Sequence, residues 1–239
     1  PPPAADTPPT SSHPSPSEPL DRYNALAPDR ADEITATHIA AVLSGTSESS
    51  NLAANQVEVP VEVIDSFNAC SGQGLLALLA CEMRDAGASA QECAQAIKDA
   101  RAHTRFFIAC GTLDNLLAGG RLSAEEVDAA TLLDIKPMMS FDERGVLKAF
   151  DKAKGMNGVI KKYVEKLKEI TEDEGIQRVR FCHTRNEKGV EKLKRALEQA
   201  GIDYIDCGTC SCGATVSTHL GMGALGMGVI PDSLFPHKE

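Results

Sequence analysis

Hydroxyls, free backbone N–H groups and a glycine coincide in the segment from His38 to Ser50, HIAAVLSGTSESS. A β-type run, Ile34 to Ile39, leads to the turn Leu43-Ser44-Gly45-Thr46, and a small polar sequence then opens a helix. That order gathers donors at one helix N-terminus, where the orphan N–H groups and the helix dipole stabilise an anion. The same residues also make an ordinary N-cap. A second candidate is Ser217-Thr218-His219-Leu220-Gly221-Met222-Gly223. Glycines around a histidine permit close backbone approach and unusual φ, so the imidazole can be aimed into a pocket; a satisfied structural histidine is the plainer reading. The third is Cys207-Gly208-Thr209-Cys210-Ser211-Cys212, with His219 seven residues on. Three thiols on one short loop, completed by His219 or by Cys182-His183, suit zinc or redox chemistry. Free, partly buried thiols are the alternative.

These residues need elements to carry them. Residues 1 to 19 hold eight prolines, which predicts a non-helical stretch that does not pack as a unit. Glu58 to Ile64 reads as a buried strand, and Ser71 as the cap of a helix running to about Ala86, where Gly87 can end it. Ser89-Ala90-Gln91-Glu92 is a capping box for a helix reaching about His103. Arg105 to Cys110 reads as the next strand, giving β-α-β-α-β, the grammar of a parallel layer. Beyond Gly119-Gly120-Arg121, Leu133 to Ser140 and Val146 to Phe150 are strand candidates joined by the hairpin signal Asp142-Glu143-Arg144-Gly145. An amphipathic helix follows, with Val159, Ile160, Tyr163, Val164 and Leu167 on one stripe. Strand Val179 to His183, helix Glu187 to Ala200 and strand Ile202 to Asp206 make a further β-α-β unit, and Gly213 to Gly228 is a glycine-rich close. The expected architecture is α/β with two lobes. A Pro-rich segment (1–19) precedes a parallel N-terminal lobe (20–120) and a mixed α/β C-terminal lobe (121–239), and a cleft between lobes is a usual ligand site.

The chain has 239 residues, enough for a substantial core, yet no Trp and only 4% aromatic residues. Ala, Val, Leu and Ile must build that core. The net charge of −10 is uneven: residues 1–120 carry 6 Lys and Arg against 15 Asp and Glu, residues 121–239 carry 18 against 19. A front half so acidic lacks the basic footprint that nucleic acid requires. No apolar run approaches the roughly 18 residues of a membrane span, so no integral membrane segment is expected. Of the eight cysteines, Cys70, Cys81, Cys93 and Cys110 sit within apolar helix or strand patterns, as reduced buried thiols do. Cytoplasmic location is the expectation.

Six motifs, in order along the chain, resemble those of the DegV family of bacterial fatty-acid-binding proteins. They are Ser11-Ser12-His13-Pro14-Ser15-Pro16, Leu43-Ser44-Gly45-Thr46, Val63-Ile64-Asp65-Ser66, Gly119-Gly120-Arg121, Ile135-Lys136-Pro137 and Ser217-Thr218-His219-Leu220-Gly221-Met222-Gly223. The family's corresponding patterns run Thr-Ser-Gln-Pro-Ser-Pro, Leu-Ser-Gly-Thr, Val-Ile-Asp-Ser, Gly-Gly-Arg, Ile-Lys-Pro and Gly-Thr-His-x-Gly-Pro-Gly. Each is weak singly; six in the family's order are strong together, and the resemblance covers about residues 11 to 231.

The resemblance implies a two-lobed α/β carrier, not an enzyme, that holds one long-chain fatty acid in a tunnel and needs no cofactor or metal. By position, Ser11 or Ser12, Ser44 and His219 would meet the carboxylate, with Gly45 and Thr46 shaping the turn. Neutral hydroxyl donors at a helix N-terminus fit that task, since a buried carboxylate is costly unless hydrogen-bonded. The implied partner is a fatty acid kinase that converts the bound acid to an acyl phosphate for phospholipid metabolism. Arg121 and Lys154 would be its docking contacts, although Arg121 also reads as an exposed helix-flanking arginine.

Ser11 replaces the family's Thr, His13 its Gln, Met222 its Pro and Lys154 its usual Arg. Lysine keeps the charge but loses the guanidinium fork. Residues 1 to 10 match nothing of the strand, Asp-Ser loop and strand that open family members, so the N-terminal lobe reads as truncated. The competing function is a metal- or thiol-dependent enzyme or interaction module using Cys207, Cys210 and Cys212. No G-x-S-x-G elbow supports Ser44 as a nucleophile, and no P-loop lysine supports a phosphate loop.

Overall fold

A computed structural model describes residues 10–27, 31–111, 113–121 and 135–236. Two sheets organise it. The smaller pairs β1 (Ile34–His38) with β2 (Val61–Asp65) in parallel, and α2 (Thr46–Ala54) makes the crossover. A preceding helix, α1 (Ser17–Leu26), buries Tyr23 against Ile34 and Ala53. So the proline-rich front is helical from Ser17 on. Pro16 and Pro19 stand at its start, where a missing N–H costs nothing.

The larger sheet has six strands in the order β5-β4-β3-β8-β6-β7. These are β3 (Arg105–Ala109), β4 (Ile135–Phe141), β5 (Leu147–Lys154), β6 (Gln177–His183), β7 (Tyr204–Ser211) and β8 (Leu225–Pro231). The β4–β5 hairpin forms where its turn signal lies, with Gly145 at φ 76°. The expected strand start at Leu133 lies outside the described residues. The parallel pair β6–β7 follows the predicted β-α-β unit, crossing over through α7 (Glu187–Gln199). The strand Arg105–Ala109 does not extend the parallel layer of the small sheet, contrary to the sequence grammar. It is antiparallel to both β4 and β8 in the six-stranded sheet. Its near-continuous apolar run, FFIA, suits burial on both faces, which both kinds of sheet centre provide.

The glycine-rich close is also more regular than its composition suggests. It contains α8 (Ala214–Leu220) and the central strand β8, every residue of which is buried. Glycine is required there: a Cβ on Gly228 would stand 2.7 Å from the backbone of Ser71 and Gly72. Helix α3 (Cys70–Asp85) therefore lies directly on the sheet. Together α3 and α4 (Ala90–Ala100) bridge the two sheets, burying Leu75, Leu76, Leu79 and Ile97 between Ile64 of β2 and Ile230 of β8. Ser89 and Glu92 form the predicted capping box. Ser71 is not a cap: Ala69 occupies that position, and the fully buried Ser71 hydroxyl donates to Cys182 Sγ instead, at 3.6 Å. Strand β2 starts at Val61, not Glu58, and is half-buried.

The faces of the large sheet divide by the period of two. Phe107 and Ala109 join Val159, Tyr163 and Leu167 of α6 (Gly155–Glu174) and Leu193 of α7 in one core. Phe106 and Ile108 turn to the other face with Leu147, Cys182, Leu116 of α5 (Asp114–Ala118) and Leu220 of α8. The second face meets the first sheet's loops and is where the cavity opens. Among the described residues no helix is long and apolar enough to cross a membrane.

Candidate functional site

A cavity of about 730 Å³ lies between the β1–α2 turn, the extended segment Ser11–Pro14 and the α5–α8 face of the large sheet. Ser11, Ser12, Ser44, Gly45, Thr46, Arg121 and His219 all line it. Their sequence separations run to 208 residues, and the tertiary fold alone brings them together. Lys154 does not line it. It is exposed at the end of β5.

The strand-turn-helix order places Ser44 as expected. Strand β1 ends at His38, and α2 begins at Thr46 after an N-cap glycine that makes no side-chain cap bond. The Ser44 hydroxyl pairs with Thr46 Oγ1 at 2.8 Å, and a longer bond from Thr46 N to Ser44 Oγ spans 3.4 Å. The two hydroxyls thus form one polar pair at the cavity wall. Gly45 lets the turn pass close to His13, whose ring lies 3.1 Å from where a Cβ on Gly45 would stand.

His219 sits in the last turn of α8, not in a loop. Gly221, at φ 69°, then ends the helix. Its Nε2 lies 2.7 Å from Ser11 Oγ, and its buried Nδ1, facing Gly119, has no partner among the described residues. An orphaned ring nitrogen costs least as a bare acceptor, which assigns the proton to Nε2. In that tautomer Nε2–H donates to Ser11, whose own hydroxyl proton is free to face the cavity. Burial, and then the Arg121 charge, hold the His219 pKa below the ordinary imidazole value. The ring is therefore neutral at pH 7. Arg121 is tied down, donating to Gly119 O at 2.6 Å and to Leu43 O at 3.3 Å. It fastens the Ser44 turn to the α5 end, and does not stand as an isolated exposed arginine.

The rest of the lining is largely apolar. Phe106 and Phe141 stack at 5.9 Å and, with Ile108, Leu116 and Leu147, line the cavity. Sequence reasoning missed these residues, and also Cys70 and Val216, as parts of a site, while His13 of the first motif does line it. Only the alternation along β3 and the hairpin signal hinted that Phe106, Phe141 and Leu147 share a face.

Hydroxyls and an imidazole lining the same cavity as an aliphatic and aromatic wall suit an amphiphile with an anionic head. Comparison with known proteins agrees. The model of the family described as uncharacterised protein, DegV family, matches residues 3–232. The chain belongs to the DegV family. A DegV relative from Thermotoga maritima, named a fatty acid-binding protein, is 31% identical over 224 residues, covering 92% of this chain and 77% of the relative. The structure of a DegV family protein from Thermus thermophilus, described for its fatty acid binding, superposes with a TM-score of 0.85 at 26% identity, covering 93% of this chain and 79% of the other. A DegV family protein from Eubacterium eligens, solved loaded with heptadecanoic acid, gives a TM-score of 0.78 at 25% identity, covering 92% and 79%. The two-lobed α/β architecture is that of these DegV structures.

The cysteine loop does not make a metal site. Among the described residues no group of three or more His, Cys, Asp or Glu is placed to hold a metal ion. Gly208, at φ 88°, breaks the register of β7, and Cys207 turns to the α3–α4 core while Cys210 and Cys212 join the cavity-side core. A knuckle needs its thiols to converge, and Cys207 packs against a different core from Cys210 and Cys212.

Proposed function

We propose that this DegV protein holds one long-chain fatty acid in the cavity, its carboxylate at Ser11, Ser12, Ser44, Thr46 and His219 and its tail against Phe106, Phe141 and Leu147. The observation that carries this reading is that the 2.7 Å pair Ser11–His219 and the Ser44–Thr46 hydroxyl pair line one cavity together with Phe106, Phe141 and Leu147. A volume of about 730 Å³ falls within the roughly 300–1,000 Å³ of small-molecule sites. Fatty acid binding by the relatives from Thermotoga maritima, Thermus thermophilus and Eubacterium eligens supports it.

The role is that of a carrier with no catalytic residue of its own. Hydroxyls hydrogen-bond a carboxylate without the bidentate clamp of an arginine, with the neutral His219 ring holding Ser11 in place and the Arg121 Nε and one Nη1 hydrogen engaged by the Leu43 and Gly119 carbonyls. Such a head group can be handed on. We assign its receiver as a fatty acid kinase that forms the acyl phosphate in the cytoplasm, approaching over the exposed Ser12 and Val42, with Arg121 and Lys154 as docking contacts. Val42 is 59% exposed at the cavity rim, which supports access from that side.

Native mass spectrometry of the purified chain tests the carrier. A co-purifying long-chain acid, lost or reduced in Ser44→Ala and His219→Ala, is the expected result. Each removed hydrogen bond to a charged group weakens binding by about 1.5–3 kcal/mol. A folded chain that takes up no acyl ligand refutes the reading. Lys154→Ala is expected to retain the acid yet slow acyl-phosphate formation with the kinase; an unchanged rate removes Lys154 from the docking surface.

A further inference from the structure

His219 stands on α8, and the segment His183-Thr184-Arg185-Asn186, which joins β6 to α7, holds that helix at both ends. Before α8, Cys212 N donates to His183 O at 2.8 Å. After it, Gly223 N donates to Thr184 O at 2.7 Å, Ala224 N to Thr184 Oγ1 at 2.8 Å, and Asn186 Nδ2 to Gly223 O at 2.9 Å. None of these joining residues lines the cavity.

We propose that Thr184 and Asn186 are positioning residues for the carboxylate site: their clasp on the Gly221–Ala224 turn sets the rotation of α8 and so holds His219 within hydrogen-bond reach of Ser11. The effect on ligand binding rests on the fatty-acid reading; the effect on His219 stands without it.

A helix of seven residues does not hold its own shape in water. Val216 and Leu220 pack α8 on the cavity-side core, but apolar burial is non-directional. It fixes how deep the helix lies, and leaves open which way the helix is turned. The directed bonds at its two ends supply that rotation. An atom about 6 Å from a helix axis moves by about 1 Å for a rotation of about 10°. A retreat of that size takes the Ser11–Nε2 contact, now 2.7 Å, past the roughly 3.5 Å limit of a hydrogen bond.

The clasp is tightly specified. Thr184 and Ala224 are both buried, so without the Thr184 hydroxyl the Ala224 N–H would be left unpaired away from water, at the full cost of its desolvation. Asn186 uses both ends of its amide. Its Oδ1 accepts from Gly189 N at 3.2 Å, capping α7, while Nδ2 reaches Gly223. Only this orientation satisfies both atoms, since a flip would set the NH2 against the Gly189 N–H and the oxygen against the Gly223 carbonyl. His183 Nδ1 accepts from Asn186 N at 3.1 Å, and between the two Arg185 has a φ of 49°. A non-glycine residue adopts that left-handed conformation at a cost, and keeps it where the surroundings over-determine it.

Asn186→Asp separates the clasp from the cap. Aspartate keeps an oxygen to cap α7 and loses the N–H that reaches Gly223. Two measurements on the full chain read the result: the NMR titration of the His219 imidazole, assigned by its loss in His219→Gln, and calorimetric titration with oleate. Burial and the Arg121 charge hold the His219 pKa below the ordinary imidazole value. In Asn186→Asp the His219 midpoint should rise toward that value, and oleate should bind about fivefold more weakly, the loss expected for one neutral hydrogen bond. Thr184→Val should act in the same direction. A merely weakened fold would lower Tm without moving the His219 midpoint, so an unmoved midpoint in folded Asn186→Asp overturns the clasp. If that variant does not fold, Asn186→Ser, which caps α7 but is too short to reach Gly223, is read by the same outcomes. A shifted midpoint with unchanged oleate affinity overturns the consequence for binding. An unaltered chain that takes up no oleate refutes the carrier reading instead, and the His219 midpoint alone then decides the clasp.

Discussion

Replacing Gly119 by alanine should disable His219 without touching it. Gly119 has φ −79° and ψ −7°, so the backbone accepts alanine without strain. The added Cβ, however, would stand 2.4 Å from His219 Nδ1 and 2.8 Å from Cε1, where ordinary contact begins at 3.4 Å. The ring must retreat by about 1 Å, and the Ser11 contact, now 2.7 Å, then passes the roughly 3.5 Å limit of a hydrogen bond. Overpacking costs about 1–3 kcal/mol. The low end applies, because the displaced atoms belong to the end of a half-buried side chain, and about 1 kcal/mol lowers Tm by roughly 2–4 °C in a chain of this size. The loss at the carboxylate is larger, about 1.5–3 kcal/mol for a hydrogen bond to a charged group, or tenfold and more in Kd. Calorimetric titration with oleate, beside a thermal melt, reads both quantities. A cycle with His219→Ala decides the mechanism: Gly119→Ala should cost almost nothing further once the imidazole is gone. Additive losses, or an unchanged Kd with the expected fall in Tm, would refute the argument.

Acid should destabilise the fold through its histidines. Burial lowers the pKa of His38, and burial with the Arg121 charge lowers that of His219, below the ordinary 6.5. The unfolded chain therefore binds more protons, so their contribution is fully present above about pH 6.5 and is lost as pH falls through the folded pKa values. Urea midpoints between pH 8 and pH 5 should fall, less steeply in His38→Gln; an equal slope in that variant would remove His38 from the account. Removing the α4 capping box with Ser89→Ala should cost about 1 kcal/mol in chemical denaturation. Oleate affinity should not change, because the box lies away from the cavity.

Local chemistry made much of this molecule readable. The capping box at Ser89, the stripe Val159 to Leu167 and the hairpin at Asp142–Gly145 are short-range instructions, and each forms where its residues stand. The Ser44 turn was legible for the same reason, since a strand, a glycine and a hydroxyl-rich helix start are neighbours in sequence. Strand pairing is not a short-range property. Phe106 to Ala109 reads the same whether its partners are parallel or antiparallel, and only the competing edges of β4 and β8 decide. Ser71 has the composition of a cap, but the close packing of α3 on Gly228 buries it and turns its hydroxyl to Cys182.

By itself, then, the sequence determined the residue types of the site, its family motifs and most local elements, because those depend on neighbours along the chain. The tertiary structure decided their convergence. It set Ser11 against His219 across 208 residues, tied Arg121 to the Ser44 turn, and spread Cys207, Cys210 and Cys212 over two cores. Which side chains meet depends on how sheets and helices pack, and that is settled by burying the whole apolar surface at once.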